Sequence, residues 1–170
     1  PSYGTGNWKH PDFDDAAWLP GDGILGFGNL GSPAAPIATP LSRGPAGQQH
    51  RTYYFRRTFS VANAASVISL SGEVLRDDGV IVYLNGKEIA RSNIADGLVL
   101  GYEDLTGGSP ASGNDEDSYQ TFTLDPGDLV EGENLIAVEL HQESTGSSDV
   151  GFDLELDATI PPGDAPTVSI

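Results

Sequence analysis

The dipeptide Asn85-Gly86, set between residues 80–84 and 87–91, constrains the fold of this chain more than any other feature. Both residue types accept the positive φ that a two-residue hairpin turn demands, and the flanking segments suit strands. A hairpin is predicted, with Tyr83 opposite Glu88 and Val82 opposite Ile89. The same two-residue period recurs along the chain. From Thr52 onward, Tyr53, Phe55, Arg57, Phe59 and Val61 share one face, and Tyr54, Arg56, Thr58 and Ser60 the other. Residues 67–75 place Ile68, Leu70 and Val74 on one side, and 119–124 form a further strand. In 135–141, Ile136, Val138 and Leu140 are predicted inward and Ala137, Glu139 and His141 outward. In 152–156, Phe152, Leu154 and Leu156 point in, and Asp153, Glu155 and Asp157 out. No segment sustains a capped 3.6-residue repeat. Seven short strands divided by turns predict an all-β, antiparallel β-sandwich.

Composition agrees with one loop-rich domain. Gly and Pro make up a fifth of the 170 residues, and apolar residues 38%. That is too apolar for an acidic disordered tail and too rich in turn formers for a helical bundle. Residues 1–52 are expected to be mostly irregular, anchored by Trp8 and Trp18. A β-sandwich module over 1–160, a linker at 161–166 rich in Pro and Gly, and the start of a following module at 167–170 complete the expected organisation. A chain opening on Pro1 without methionine is expected to be part of a longer modular protein.

Charge excludes whole classes of partner. Against 25 Asp and Glu stand 8 Lys and Arg, a net charge of −17, so a phosphate backbone is repelled and nucleic acid is excluded. No apolar run approaches the ~20 residues of a membrane helix, which argues against membrane insertion. With neither cysteine nor methionine, disulfides and thiolate metal sites are ruled out, leaving packing or a hard cation to hold the fold.

If consecutive strands alternate up and down, the turns at 62–66, 85–86 and 125–134 gather at one end. The opposite end then collects 76–79, 92–118, 142–151 and the exit of the 20–52 segment. The first three of those segments hold Asp77, Asp78, Asp96, Glu103, Asp104, Asp115, Glu116, Asp117, Glu143 and Asp149, with Arg76 their one basic residue. Long loops on a rigid sheet are where binding resides, and carboxylates converging on one rim repel one another unless a cation sits among them.

Trp8, the run Phe13-Asp14-Asp15-Ala16-Ala17-Trp18, the segment 76–91 and the segment 131–138 together resemble the galactose-binding-like jelly roll. That is the fold of carbohydrate-binding modules and of the sugar-binding domains of glycoside hydrolase family 2 and α-rhamnosidases. The resemblance covers residues 8–158 and is specific for fold rather than ligand. The stretches Tyr54-Phe55-Arg56-Arg57 and Ser147-Ser148-Asp149 are similar to accessory modules of secreted bacterial phosphoesterases and other exoenzymes. Asp77-Asp78-Gly79, ahead of a strand ending in Asn85-Gly86, is similar to calcium-dependent lectin domains of the protective-antigen type, in which an adjacent aspartate pair holds calcium. The resemblance implies a bound calcium with Asp77 and Asp78 among its ligands; the alternating oxygens of 114–118 and the convergence of rim acids add Asp115, Asp117 and Asp149 as expected ligands. The plainer reading of Asp-Asp-Gly is a tight turn whose carboxylates accept from nearby backbone N–H groups, and that of 114–118 is a solvated acidic loop.

Sugar recognition needs a flat aromatic for the apolar ring face and planar polar groups for the hydroxyls. Tyr54 and Tyr102 lie toward the loop-rich rim, and Asn93, His141 and Gln142 stand where strands leave for it. These five are the expected carbohydrate ligands, set against the alternative of a polar exit residue at His141. Trp8 and Trp18 could stack on a sugar ring as well, but read first as core anchors. Arg57, on an otherwise apolar face, is expected to be structural, either paired or displaced by a bulge. Catalysis is the third reading: paired carboxylates for glycoside hydrolysis are available by count, but acids are so abundant that no pair stands out. The three His show no zinc spacing, and Ser147, His141 and Asp149 lack the Gly-x-Ser-x-Gly elbow of a nucleophile. The expected function is a non-catalytic carbohydrate-binding module. It holds a polysaccharide or oligosaccharide beside a tethered catalytic domain in a secreted, extracellular multidomain enzyme. The alternative is a structural or protein-docking spacer of a secreted phosphoesterase, nuclease or adhesin.

Overall fold

Asn85 and Gly86 take φ of 52° and 85°, as a two-residue hairpin turn requires. The computed structural model describes residues 7–30, 36–107 and 117–162. In chain order the strands are β1 (Leu25–Phe27), β2 (Thr39–Pro40), β3 (Thr52–Val61), β4 (Ser69–Asp77), β5 (Gly79–Leu84), β6 (Lys87–Ser92), β7 (Gln120–Leu124), β8 (Gly132–His141) and β9 (Val150–Thr159). A five-stranded sheet, ordered β2-β1-β9-β4-β7, packs on a four-stranded sheet, ordered β3-β8-β5-β6. All pairings are antiparallel except β1 with β2. The fold is the predicted β-sandwich. It has two more strands than the period-2 pattern shows, because β1 and β2 are too short to alternate.

The register fixes the two ends. Thr52 and Gly79 both pair with His141, and Asp77 pairs with Gly151, so the starts of β3 and β5 lie together with the ends of β4 and β8. At the far end, Val61 pairs with Gly132 and Leu84 with Ile136. The rim segments therefore gather at one end as the counting of strand directions predicts. Between the sheets, Leu70, Val74, Val80, Val82, Val138, Leu140 and Phe152 form the main core, with Phe55 stacked on Phe152 at 4.3 Å between ring centroids.

Three expectations need correction. Tyr83 pairs with Glu88, but Val82 pairs with Ala90 rather than Ile89, because a bulge lies between Val82 and Tyr83. Ala137, Glu139 and His141 do point away from the main core, yet all three are buried. A second cluster of Trp8, Ile81, Tyr83, Ile94 and Leu135 covers the outer face of the four-stranded sheet there. Arg57 pairs with Ile136 in an unbroken ladder, so no bulge displaces it; it is exposed because β3 is an edge strand. Its guanidinium meets water and needs no buried partner.

Arg56 explains how the irregular N-terminal stretch becomes part of the sandwich. Its side chain is only 3% exposed and donates through Nε to Asp15 Oδ2 at 2.7 Å. The same guanidinium donates to the carbonyls of Trp8, His10 and Phe13. Trp8 is thereby seated between Tyr54, at 4.6 Å, and the edge of Tyr83, at 5.8 Å.

The chain passes from one sheet to the other through Asp78 alone, between the end of β4 and the start of β5. Gly79, at the landing point, has no room for a side chain: a Cβ would come within 2.6 Å of Thr106 Cγ2 and 3.1 Å of the Asn93 carbonyl. Gly79→Ala is expected to destabilise by about 1–3 kcal/mol through overpacking, measured by urea unfolding. Unchanged stability would show that the loop above β5 yields freely.

Candidate functional site

At the rim, the loop ends are fastened to the sheet by buried polar groups. Thr52 Oγ1 donates to the Tyr102 carbonyl at 2.8 Å and lies 3.0 Å from His141 Nδ1. That nitrogen is also 3.0 Å from the Asp104 carbonyl, which can only accept, so Nδ1 carries a proton. His141 is fully buried, and its Nε2 faces Glu139 Oε2 at 3.5 Å without a hydrogen bond. Glu139 Oε1 accepts from the Tyr83 hydroxyl at 2.5 Å. Gln142 ties three segments together: its N–H donates to the Arg51 carbonyl, its carbonyl accepts from Thr106 N–H, and its Nε2 donates to the Asp149 carbonyl. Asp78 Oδ2 accepts from Glu143 N–H at 2.8 Å, and Asn93 Nδ2 donates to the Asp78 carbonyl. His141 Nε2 and Gln142 Oε1 apart, these buried polar groups are bonded, and the cost of losing a partner keeps the loops in place.

On this floor stands a cleft of about 540 Å³, lined by Gln48, Gln49, His50 and Arg51 from one side and Tyr102, Glu103 and Thr145 from the other. His50 Nδ1 is hydrogen-bonded to the Tyr102 hydroxyl at 2.8 Å. Arg51 donates to the Glu103 carbonyl at 2.7 Å and lies 3.5 Å from its carboxylate. Arg43 reaches the Ser147 carbonyl. Two guanidiniums from the long 20–52 segment thus enter a rim whose other loops supply mainly acids. The cleft presents an aromatic ring, two primary amides, an imidazole, a guanidinium and a carboxylate, all planar and all at the surface.

The sequence-predicted ligands divide. Tyr102 lines the cleft. Tyr54 lies on the covered outer face, half-buried against Trp8; burial first, then the charges of Glu139, Tyr102 and Asp104, push its hydroxyl pKa up. Burial, then a hydrogen bond from its hydroxyl to the Glu139 carboxylate, does the same at Tyr83. At Tyr53, whose hydroxyl donates to the Ser42 carbonyl, burial leads in pushing the pKa up to about 12. All three hydroxyls are held neutral. His141 and Gln142 are interior and position the loops, and Asn93 supports Asp78. The sequence pattern brings Glu103 and the exit of the 20–52 segment to the rim, but does not single out Glu103 or residues 48–51 as carbohydrate ligands. The run Gln48-Gln49-His50-Arg51, immediately ahead of β3, is the signal that could have found them.

Of the expected metal ligands, Asp77 and Asp78 are buried at the sheet crossover, Asp149 is half-buried with its carboxylate accepting from Ser148 Oγ, and Asp117 accepts from Ser118 Oγ. Asp115 lies outside the described residues. Among the described residues, no three carboxylates or imidazoles are grouped as a metal ion requires. Among these residues, no hydrogen bond joins Ser147 to His141; the Ser147 hydroxyl donates to the Asp149 carbonyl. No helix among them is long and apolar enough to cross a membrane.

No protein-family model matches the sequence, and no curated protein does. Among solved structures, the chain is similar to part of an α-L-rhamnosidase from Streptomyces avermitilis complexed with L-rhamnose. Identity is 19% over 65% of this chain and 9% of that one, with a TM-score of 0.46. An α-L-rhamnosidase from Dictyoglomus thermophilum matches at 15% identity over 69% of this chain and 12% of the enzyme, TM-score 0.44. A β-D-mannosidase from the same organism matches at 23% identity over 53% and 9%, TM-score 0.35. The likeness spans about a tenth of each hydrolase's length.

Proposed function

We propose that this module is a non-catalytic carbohydrate-binding unit whose rim cleft holds a neutral oligosaccharide or polysaccharide chain. The observation that carries the reading is the cleft itself: Tyr102 set among Gln48, Gln49, His50, Arg51 and Glu103 over a floor of bonded polar groups. A pyranose ring has apolar C–H faces and a belt of hydroxyls. A tyrosine ring covers the first at low entropic cost, and planar amides, guanidinium and carboxylate satisfy the second in pairs. Bound to its polymer, such a unit raises the local concentration of a catalytic domain tethered to it, an avidity effect that needs no chemistry of its own. That role belongs to secreted multidomain enzymes acting on insoluble glycans. The net charge of −17 directs the choice toward neutral rather than sulfated or uronic glycans.

The reading rests on the side chains of the cleft and calls on no metal ion. Isothermal titration against neutral gluco-, manno-, galacto-, xylo- and rhamno-oligosaccharides, in EDTA and again in millimolar calcium chloride, is the direct test. At least one glycan is expected to bind, with the same affinity in both buffers. Tyr102→Ala is expected to weaken it at least tenfold, about 1.4 kcal/mol, while leaving Tm near the wild-type value. No heat with any glycan in either buffer would remove the proposal.

A further inference from the structure

We infer that the end of the sandwich opposite the rim carries a second binding surface, a groove that takes an extended polypeptide strand with apolar residues at alternate positions and basic residues between them. The groove, about 690 Å³ in volume, opens between the lower half of β3 and the lower half of β9. Its walls are Phe59 and Val61 on one sheet and Leu154, Leu156, Ala158 and Ile160 on the other. Ile68, 64% exposed, adds apolar surface beside it, since its N–H donates to the Thr159 carbonyl.

The groove exists because one strand stops early. β1 pairs with β9 only from Leu25 opposite Phe152 to Phe27 opposite Val150. Beyond that, from Leu154 to Ala158, no strand among the described residues continues the lane on that side of β9. β3 is the edge of the other sheet, so a second row of backbone N–H and C=O groups borders the same opening. Unpaired sheet edges are templates for another strand, and alternate side chains of an added strand would point into the groove between β9 and β3. A globular ligand or a lipid chain would use the apolar walls but leave those backbone groups unanswered.

Charge selects among strands. Glu155 lines the opening, Asp157 lies on the same strand, and Glu133 stands opposite Ser60 on β8. Glu131 reaches Ala64 N–H at the groove's end, and Arg57 is the one cation among the lining residues. A second copy of the chain would bring another net charge of −17 against these acids, whereas Lys or Arg at the polar positions of the guest would complement them.

The test uses the synthetic nonapeptide Lys-Val-Thr-Val-Lys-Ile-Thr-Val-Lys, titrated into the whole protein at low salt and followed by amide NMR shifts and fluorescence anisotropy. Shifts confined to residues 57–61 and 154–160 are expected. Three controls should each weaken binding at least tenfold: N-methylation of alternate peptide amides, glutamate in place of the peptide lysines, and Ala158→Arg in the protein. Ala158 is exposed, so its replacement leaves the fold intact while filling the groove with a like charge for this guest. Absence of binding at millimolar peptide, shifts centred on the rim cleft, undiminished binding of the N-methylated peptide or of Ala158→Arg, or sedimentation showing a dimer closed through this groove would each overturn the inference.

Discussion

Replacing Arg56 by alanine is expected to destabilise the fold by about 3–5 kcal/mol and to lower Tm by roughly 10 °C or more. Few residues so exposed in the unfolded chain become so enclosed in the folded one. The guanidinium is nearly inaccessible and is bonded to the Asp15 carboxylate and to three backbone carbonyls of residues 8–13. Removing it leaves those carbonyls without a donor and frees the stretch that covers the outer face of the four-stranded sheet. Arg56→Lys is expected to recover little, because a single ammonium cannot reproduce a planar fork that serves several acceptors at once. Thermal and urea unfolding of both variants measure this. A Lys variant as stable as wild type would show that charge rather than geometry holds the segment.

Trp8→Ala is expected to cost a similar amount, about 3–5 kcal/mol, since a large and almost fully buried side chain leaves a cavity that its neighbours refill only in part. Tyr54 and Tyr83 would lose their aromatic contacts, and Lys9, whose Nζ lies 3.9 Å from the Tyr83 ring centroid, would lose its fixed place over that ring. The two substitutions act on one covering segment, so their effects should not add. The double variant is expected to fall short of the sum of the singles by more than 1 kcal/mol in a double-mutant cycle. Full additivity would mean that Arg56 and Trp8 hold separate parts of the molecule. Near-UV circular dichroism, which reports the tryptophan environment, distinguishes loss of the covering segment from collapse of the whole sandwich.

The fold was legible where local geometry decides it. Asn85-Gly86 dictates its own turn, and the period of two in 52–61 and 152–156 fixes which face of β3 and β9 meets the core. Counting strand directions then placed the long loops at one end without any knowledge of which strands pair. What stayed hidden was decided between distant segments. Glu139 and His141 carry the alternation of outward residues, and nothing within β8 tells that a stretch more than a hundred residues earlier closes over that face. The clue was Arg56, which alternation put on the same side as the covering segment. Alternation alone assigns it no burial, because its partners are mostly backbone carbonyls, which no side-chain pattern reveals. The rim behaved likewise. Tyr102 was recognisable as an aromatic in a long loop, but Gln48 to Arg51 lie in a segment without period, and only the tertiary pairing of His50 with Tyr102 makes a cleft of them. Asp77 and Asp78 are expected ligands through their likeness to calcium-dependent lectin domains; the structure places both at the buried sheet crossover, where Asp78 Oδ2 accepts from Glu143 N–H.

The ladder between β3 and β8 joins Thr52 to His141 and Val61 to Gly132, and that between β1 and β9 joins Leu25 to Phe152. Among the described residues, only β5 and β6 are brought together by a tight turn. The remaining pairings must close long stretches of chain before they gain any hydrogen bond, so the entropic toll precedes the reward. Such a topology places the folding barrier at the docking of remote strands. The hairpin at Asn85 can form early and repeatedly, while β8, waiting for β3 and β5 on its two sides, decides when the native state is reached.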